Sequence, residues 1–320
     1  MKLASLNDGS RDGQLVVVSR DLCTAHYATG IADHLQQVLD DWNFMSPQLQ
    51  DLYDTLNFGK ARHAFPLDPR MCMAPLPRAH LLALGNAYAD QSGTAGAGHP
   101  WVLGFSDELA GPSAELRAGV ATDLPDFEAS WALITGDVPE RAAPQQALEA
   151  VRLLMLVSHT RLRVALPDTD AAWRSLAATP QSAFSPVAVT PDELVFGGES
   201  AWRHGRLHLT LQCSINGRKL GLLDAGSDLR QHAGELIAAL AARRRLRAGA
   251  IVCMGEVRQA DSSCGQASVA ARRALELAQD GQAKTPWLAA GDSVNVEMKG
   301  RDGLSVFGAI AQSVTLGLPR

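Results

Sequence analysis

Residues 126–139 read DFEASWALITGDVP. Asp126 and Glu128 lead into the apolar run Trp131-Ala132-Leu133-Ile134, and Gly136-Asp137-Val138-Pro139 ends it as a turn. A carboxylate at the mouth of a buried strand suggests a metal site, because hard cations take oxygen ligands. Side chains two apart on a strand share a face, so such a site needs a second carboxylate two residues beyond Glu128. That position is Ser130, a neutral and weak ligand. A second pair, His204 and His208, flanks Gly205. On a strand both rings point the same way, but no third ligand accompanies them, and they read as surface. No G-x-S-x-G elbow, phosphate loop, H-E-x-x-H helix or dinucleotide glycine fingerprint is present.

The elements that must position these residues divide the chain. Residues 1–72 read as a small α+β unit. It holds the β-branched run Leu15-Val16-Val17-Val18 and a helical pattern over 32–57, punctuated near Ser46-Pro47. Met73-Ala74-Pro75-Leu76-Pro77-Arg78 is a connector, and 73–320 form the second domain. Small side chains make 91–100 a loop. From 126 onward β signals dominate, with strands expected at 129–135, 153–158, 186–190, 206–213, 249–254, 293–298 and 304–307. Two helices interrupt them, one starting at Pro144 and one spanning 226–245. Many short strands with few helices predict a mixed β, rolled or barrel-like architecture rather than a doubly wound sheet.

The totals exclude several classes. A chain of 320 residues with 46% apolar and 20% charged residues is globular. Its net charge of −5 gives no reason to expect nucleic acid. The basic run Arg243-Arg244-Arg245 reads as the cationic end of a helix. The five cysteines, Cys23, Cys72, Cys213, Cys253 and Cys264, are scattered and form no C-x-x-C pair. That fits a reducing compartment. No stretch approaches the ~18 apolar residues of a membrane span, and the first residues lack a signal-peptide core. A cytoplasmic protein is expected.

From the connector on, the chain resembles the fumarylacetoacetate hydrolase family. The resemblance rests on an ordered series: Met73–Arg78, GFSDELAGP (104–112), DFEASWALITGDVP, LRVALP with Arg163, AFSPVAVTPDEL (183–194), Asn216-Gly217-Arg218, LRAGAIV (246–252) and GDSVNVEMKGRDGLSVFGAI (291–310). The first 70 residues resemble the small domain of longer bacterial members. The resemblance implies an α+β fold whose C-terminal domain is a rolled, incomplete β-barrel, usually dimeric. It also implies Mg²⁺ or Mn²⁺ held by an E-x-E pair and a later aspartate, and cleavage, decarboxylation or tautomerisation of an acylpyruvate or other 1,3-dicarbonyl compound. The metal would stabilise the enolate.

Carried over residue by residue, Glu128 matches the first glutamate, Ser130 the second and His159 the aspartate. Imidazole is a poor ligand for Mg²⁺. Arg163 matches the substrate-binding arginine, Thr179 the lysine that polarises substrate, and Glu256 the threonine of a glycine-threonine turn. His99 lies near the family's lid segment. The expectation is a degraded metal site, with no cofactor, or with Mg²⁺ or Mn²⁺ where the family activity is kept. Glu128, His159 and Arg163 are then candidate catalytic groups, with Arg163, Ser130, Thr179 and Glu256 touching a small carbonyl or carboxylate ligand. The protein would be a metal-independent enzyme or binder, or a partner subunit, as a homodimer or beside an active homologue. The alternative is an active hydrolase, decarboxylase or isomerase, with Asp126, Asp137 and Glu256 as spare carboxylates.

Overall fold

A computed structural model describes residues 1–88, 101–164, 173 and 176–317. The expected loop at 91–100, with His99, lies outside the described residues.

The N-terminal segment is a meander of β1 (Lys2–Leu6), β2 (Gln14–Val18), β3 (Thr24–Tyr27) and β4 (Phe65–Pro66). Helices α1 (Leu35–Asp40) and α2 (Trp42–Asn57) pack on it. The helical pattern predicted over 32–57 is broken at Asp41 rather than at Pro47. The Asp41 backbone (φ −133°, ψ 53°) leaves the helix, while Pro47 sits inside α2.

The rest of the chain is sheet-dominated. It supplies β5 (Leu82–Gly85), β6 (Trp101–Leu103), β7 (Leu116–Ala118), β8 (Pro125–Thr135), β9 (Val151–Leu162), β10 (Gln181–Phe184) and β11 (Ala188–Val189). Two small hairpins follow, β12 (Val195–Phe196) with β13 (Glu199–Ser200), and β14 (Trp202–Arg203) with β15 (Arg206–Leu207). The last strands are β16 (Thr210–Ile215), β17 (Arg218–Asp224), β18 (Ile251–Cys253), β19 (Ser293–Lys299) and β20 (Ile310–Leu316). The main sheet runs β4-β3-β2-β1-β11-β9-β8-β18-β5-β6, with β10 also on β9. It is open, with β4 and β6 at its edges. The N-terminal meander continues into it through Lys2↔Val189 and Leu3↔Ala188. A second sheet runs β17-β16-β19-β20-β7.

Strands β8 and β9 form the spine. Both are covered on both faces, which is why they read as apolar runs rather than alternating ones. They pair antiparallel from Pro125↔Leu162 to Thr135↔Val151. Phe127, Ala129, Trp131 and Leu133 of β8 face one core, and Ala132 and Ile134 face the other.

The second part of the chain also holds the helices α3 (Pro144–Glu149), α4 (Ala233–Leu240) and α5 (Val269–Asp280). The helix expected over 226–245 is shorter. Asp228 adopts a left-handed backbone (φ 50°), and Arg243, Arg244 and Arg245 lie exposed beyond the last turn. No strand forms at 304–307, and pairing resumes in β20. Helix α5 is unforeseen because its buried positions include Glu276, which reads as a surface residue.

Glu276 ties α5 to the return segment. Its carboxylate accepts from Lys284 N (2.7 Å), Thr285 N (2.8 Å), Thr285 Oγ1 (2.6 Å) and Arg272 Nε (3.0 Å). Leu288 N then donates to Pro125 O at 3.1 Å, at the head of β8. Burial pushes this carboxyl up, but the bonds from Thr285, Lys284 and Arg272 outweigh it and bring it down to about 2. A carboxyl lowered on folding adds stability above its ordinary value near 4.5, and that stability is lost as pH falls from 4.5 to 2. Replacing Glu276 by Gln is expected to cost about 1–3 kcal/mol at neutral pH and to flatten the acid limb of a denaturation series over that window. An unchanged acid limb contradicts this role.

Candidate functional site

The polar end of the β8–β9 pair builds the site. On β8, Asp126, Glu128 and Ser130 share a face by the two-residue period. Opposite them on β9 stand Arg161, His159 and Val157 in register, and Arg163 continues the same alternation past the strand end. The stripe of Ala132, Ile134, Leu153 and Met155 that packs a core at one end of this face thus becomes ionic at the other.

Asp126 is buried. Arg163 reaches its Oδ2 through Nε (3.0 Å) and Nη2 (2.8 Å). Val269 N and Ala270 N, the first N–H groups of α5, donate to its two oxygens at 2.8 and 3.0 Å, as an anion at a helix N-terminus is held. Burial pushes this carboxyl up, and the guanidinium and N–H groups oppose it. Glu128 receives Arg163 Nη2 at 2.9 Å, and Arg161 Nε lies 3.3 Å from the same oxygen. Burial pushes the Glu128 carboxyl up, but Arg161 and Arg163 together hold it below the ordinary range.

Beyond β18 the chain keeps to β8 through Met254 N to Trp131 O (3.0 Å) and Val257 N to Ala129 O (3.1 Å). Between those rungs Gly255 and Glu256 stand out. Gly255 has φ +90°, and a Cβ there would sit 2.6 Å from Gly85 O, so only glycine fits. Glu256 accepts from Arg258 Nη2 (2.9 Å) and from Ser268 Oγ. Burial and the charge of Glu128 push its carboxyl above the ordinary range.

Part of this cluster faces a cleft of about 320 Å³, lined in part by Trp101, Glu128, His159, Arg161, Glu256 and Arg258. His159 is only 4% exposed. Its Nδ1 is bonded to Ser182 Oγ at 2.8 Å, while Nε2 has no hydrogen-bond partner. Burial pushes its pKa down to about 4, so the ring is neutral.

Of the residues singled out in the sequence, Glu128, His159 and Glu256 meet in the cleft. Arg163 stands behind it, clamping Asp126 and Glu128. Thr179 is buried and accepts from Arg161 Nη1. Ser130 is buried and donates to Gly255 O at 2.5 Å. Asp137 is elsewhere, accepting from Ala248 N at 3.0 Å. His204 has a left-handed backbone in a hairpin turn, and His208 lies 3.9 Å from Asp224. Sequence reading missed Arg161 and Arg258. The signal for Arg161 was its place midway between His159 and Arg163 on one strand face.

Of the three positions matched to the family's metal ligands, one holds a carboxylate, Glu128. Ser130 is committed to a carbonyl, Glu128 is already met by two guanidinium groups, and His159 offers nitrogen where oxygen is preferred. Among the described residues, no group of three or more His, Cys, Asp or Glu side chains converges as a metal cluster.

Residues 79–315 match the family described as "Fumarylacetoacetate (FAA) hydrolase C-terminal". The chain belongs to the fumarylacetoacetate hydrolase family. Residues 1–78 match "Fumarylacetoacetase N-terminal domain 2", so the small domain belongs with it. No protein of curated function matches the sequence. Among solved structures, the fold is similar to maleylpyruvate hydrolase from Sphingobium sp. SYK-6 in complex with manganese(II) and pyruvate. That match has 16% identity and a TM-score of 0.68, and covers 99% of this chain and 100% of that one. It is also similar to 2-hydroxyhepta-2,4-diene-1,7-dioate isomerase from Mycobacterium marinum, at 16% identity, TM-score 0.59, covering 99% and 98%. Fumarylacetoacetate hydrolase from Exiguobacterium antarcticum matches at 19% identity, TM-score 0.60, covering 99% of each chain. No helix among the described residues is long and apolar enough to cross a membrane.

Proposed function

We propose that this protein binds a small oxo-carboxylate of the acylpyruvate or 1,3-dicarbonyl class in the β8–β9 cleft and acts on it by acid–base chemistry without a divalent cation. The observation that carries this reading is that buried His159, whose Nε2 is unpaired, lines the same cleft as Glu128 and Glu256. A neutral imidazole fixed through Nδ1 can take a proton at Nε2. Glu256, with its carboxyl pushed up, is the group placed to return one, while Glu128 stays ionised. The five free cysteines suit a reducing compartment, and we place the protein in the cytoplasm. A second copy, or an active homologue, is its expected partner.

A second reading is an active metal-dependent hydrolase, decarboxylase or isomerase of the same substrate class, with Mg²⁺ or Mn²⁺. The comparisons favour it. The neighbours of like fold are named as hydrolases and isomerases, and one was crystallised with manganese(II) and pyruvate. Loss of the enol absorbance of acetylpyruvate separates the two readings. The first expects turnover with a chelator present, abolished in His159→Gln. Turnover that needs added Mn²⁺ and disappears in Glu128→Gln establishes the second.

A further inference from the structure

We infer that Arg161 is the built-in cation of the cleft. Its guanidinium receives the carboxylate of the bound oxo-acid at the place where a divalent ion would otherwise meet Glu128. This deepens the reading given under Proposed function and rests on it.

Arg161 is three-quarters or more buried, with its side chain 21% exposed, and it lines the cleft. It is held from two sides. Nη1 donates to Thr179 Oγ1, and Nε lies 3.3 Å from Glu128 Oε1. Nε nonetheless has no hydrogen-bond partner, because that contact lacks hydrogen-bond geometry. The neighbouring imidazole of His159 also has a donor or acceptor position unfilled at Nε2. Both residues project from the same face of β9, two positions apart. An oriented guanidinium that lines a cleft and keeps part of its surface open there is a ready partner for a carboxylate, since its donors match the two oxygens.

The charge around the cleft points the same way. Glu128 and Glu256 contribute the acidic side chains of the lining, and Arg161 and Arg258 the basic ones. Arg163 adds a further positive charge behind Glu128, matched by Asp126. A divalent cation entering here would meet Arg161 at the oxygen it must share. A carboxylate entering here meets the Arg161 guanidinium instead. The fixed guanidinium needs no loading, and it is already held in the fold by its bond to Thr179 and its ion pair with Glu128.

Oxalate, which carries adjacent carboxylates, is the probe. Calorimetric titration of chelator-treated wild type, Arg161→Gln and Arg161→Lys decides the matter. Wild type is expected to bind oxalate without metal, with an affinity that falls as salt rises. Arg161→Gln is expected to lose about tenfold or more, the worth of one charge-assisted hydrogen bond, and to lose part of the salt dependence. Arg161→Lys keeps charge without the fork and is expected to fall between, and it decides the question if Arg161→Gln does not fold. Oxalate binding by wild type that is unchanged in both variants overturns the role of Arg161 while leaving the oxo-carboxylate reading intact. No oxalate binding by wild type overturns that reading itself.

Discussion

Replacing Asp126 by Ala is expected to lower the unfolding free energy by about 3–5 kcal/mol, the cost of breaking a buried ion pair from one side. Asp126 has no exposure, and its oxygens accept from Arg163 and from the first two N–H groups of α5. The substitution leaves a largely buried guanidinium without its bidentate partner and frees the helix N-terminus. Among the described residues, Arg163 then keeps only its bond to Glu128, so the clamp behind the cleft slackens as well. Chemical denaturation measures the loss. Asp126→Asn keeps the shape but removes the charge, and is expected to fall between. A loss below about 1 kcal/mol in Asp126→Ala would mean that the pair behaves like a surface salt bridge.

Trp131→Ala is the second large effect, at about 3–5 kcal/mol for an aromatic side chain deleted from a packed core. Trp131 is fully buried on the core face of β8. Its Nε1 donates to Tyr88 Oη at 2.7 Å, and that hydroxyl donates to Ala225 O at 2.7 Å. Trp202 meets its ring edge-on with centroids 5.9 Å apart. The chain Trp131–Tyr88–Ala225 therefore ties β8 to the segments after β5 and β17. Ala87 N, beside Tyr88, donates to Met254 O at 2.9 Å, just before Gly255 and Glu256. Collapse around the missing indole would move the carboxylate at position 256. Denaturation midpoint and oxalate affinity are both expected to fall. Retained stability in Trp131→Ala would show that the core refills.

The sequence made some of this visible and hid the rest for definable reasons. Strands β8 and β9 were legible because burial on both faces leaves long apolar runs, and Glu128, His159 and Glu256 were legible as members of one site through the family resemblance. The helix α5 was not, because its inward position carries a glutamate satisfied by hydrogen bonds from Lys284, Thr285 and Arg272. Local pattern counts such a residue as solvent-facing. The role of Arg163 was expected at the ligand, whereas the structure sets it behind the cleft on Asp126 and Glu128. Which arginine faces the cleft depends on where β9 ends and how it registers with β8, and a two-residue period alone treats 161 and 163 alike. Ser130 was legible as a lost carboxylate, but its bond to Gly255 O depends on the backbone excursion at Gly255–Glu256, which no local pattern encodes.

The most direct measurement is oxalate binding to the wild-type protein by calorimetry, once with a chelator and once with added Mn²⁺. A cleft whose cation is a side chain binds oxalate equally well in both, and Mn²⁺ alone gives no binding heat. Oxalate affinity that appears only with Mn²⁺, together with one tightly bound Mn²⁺ per chain, would contradict the account.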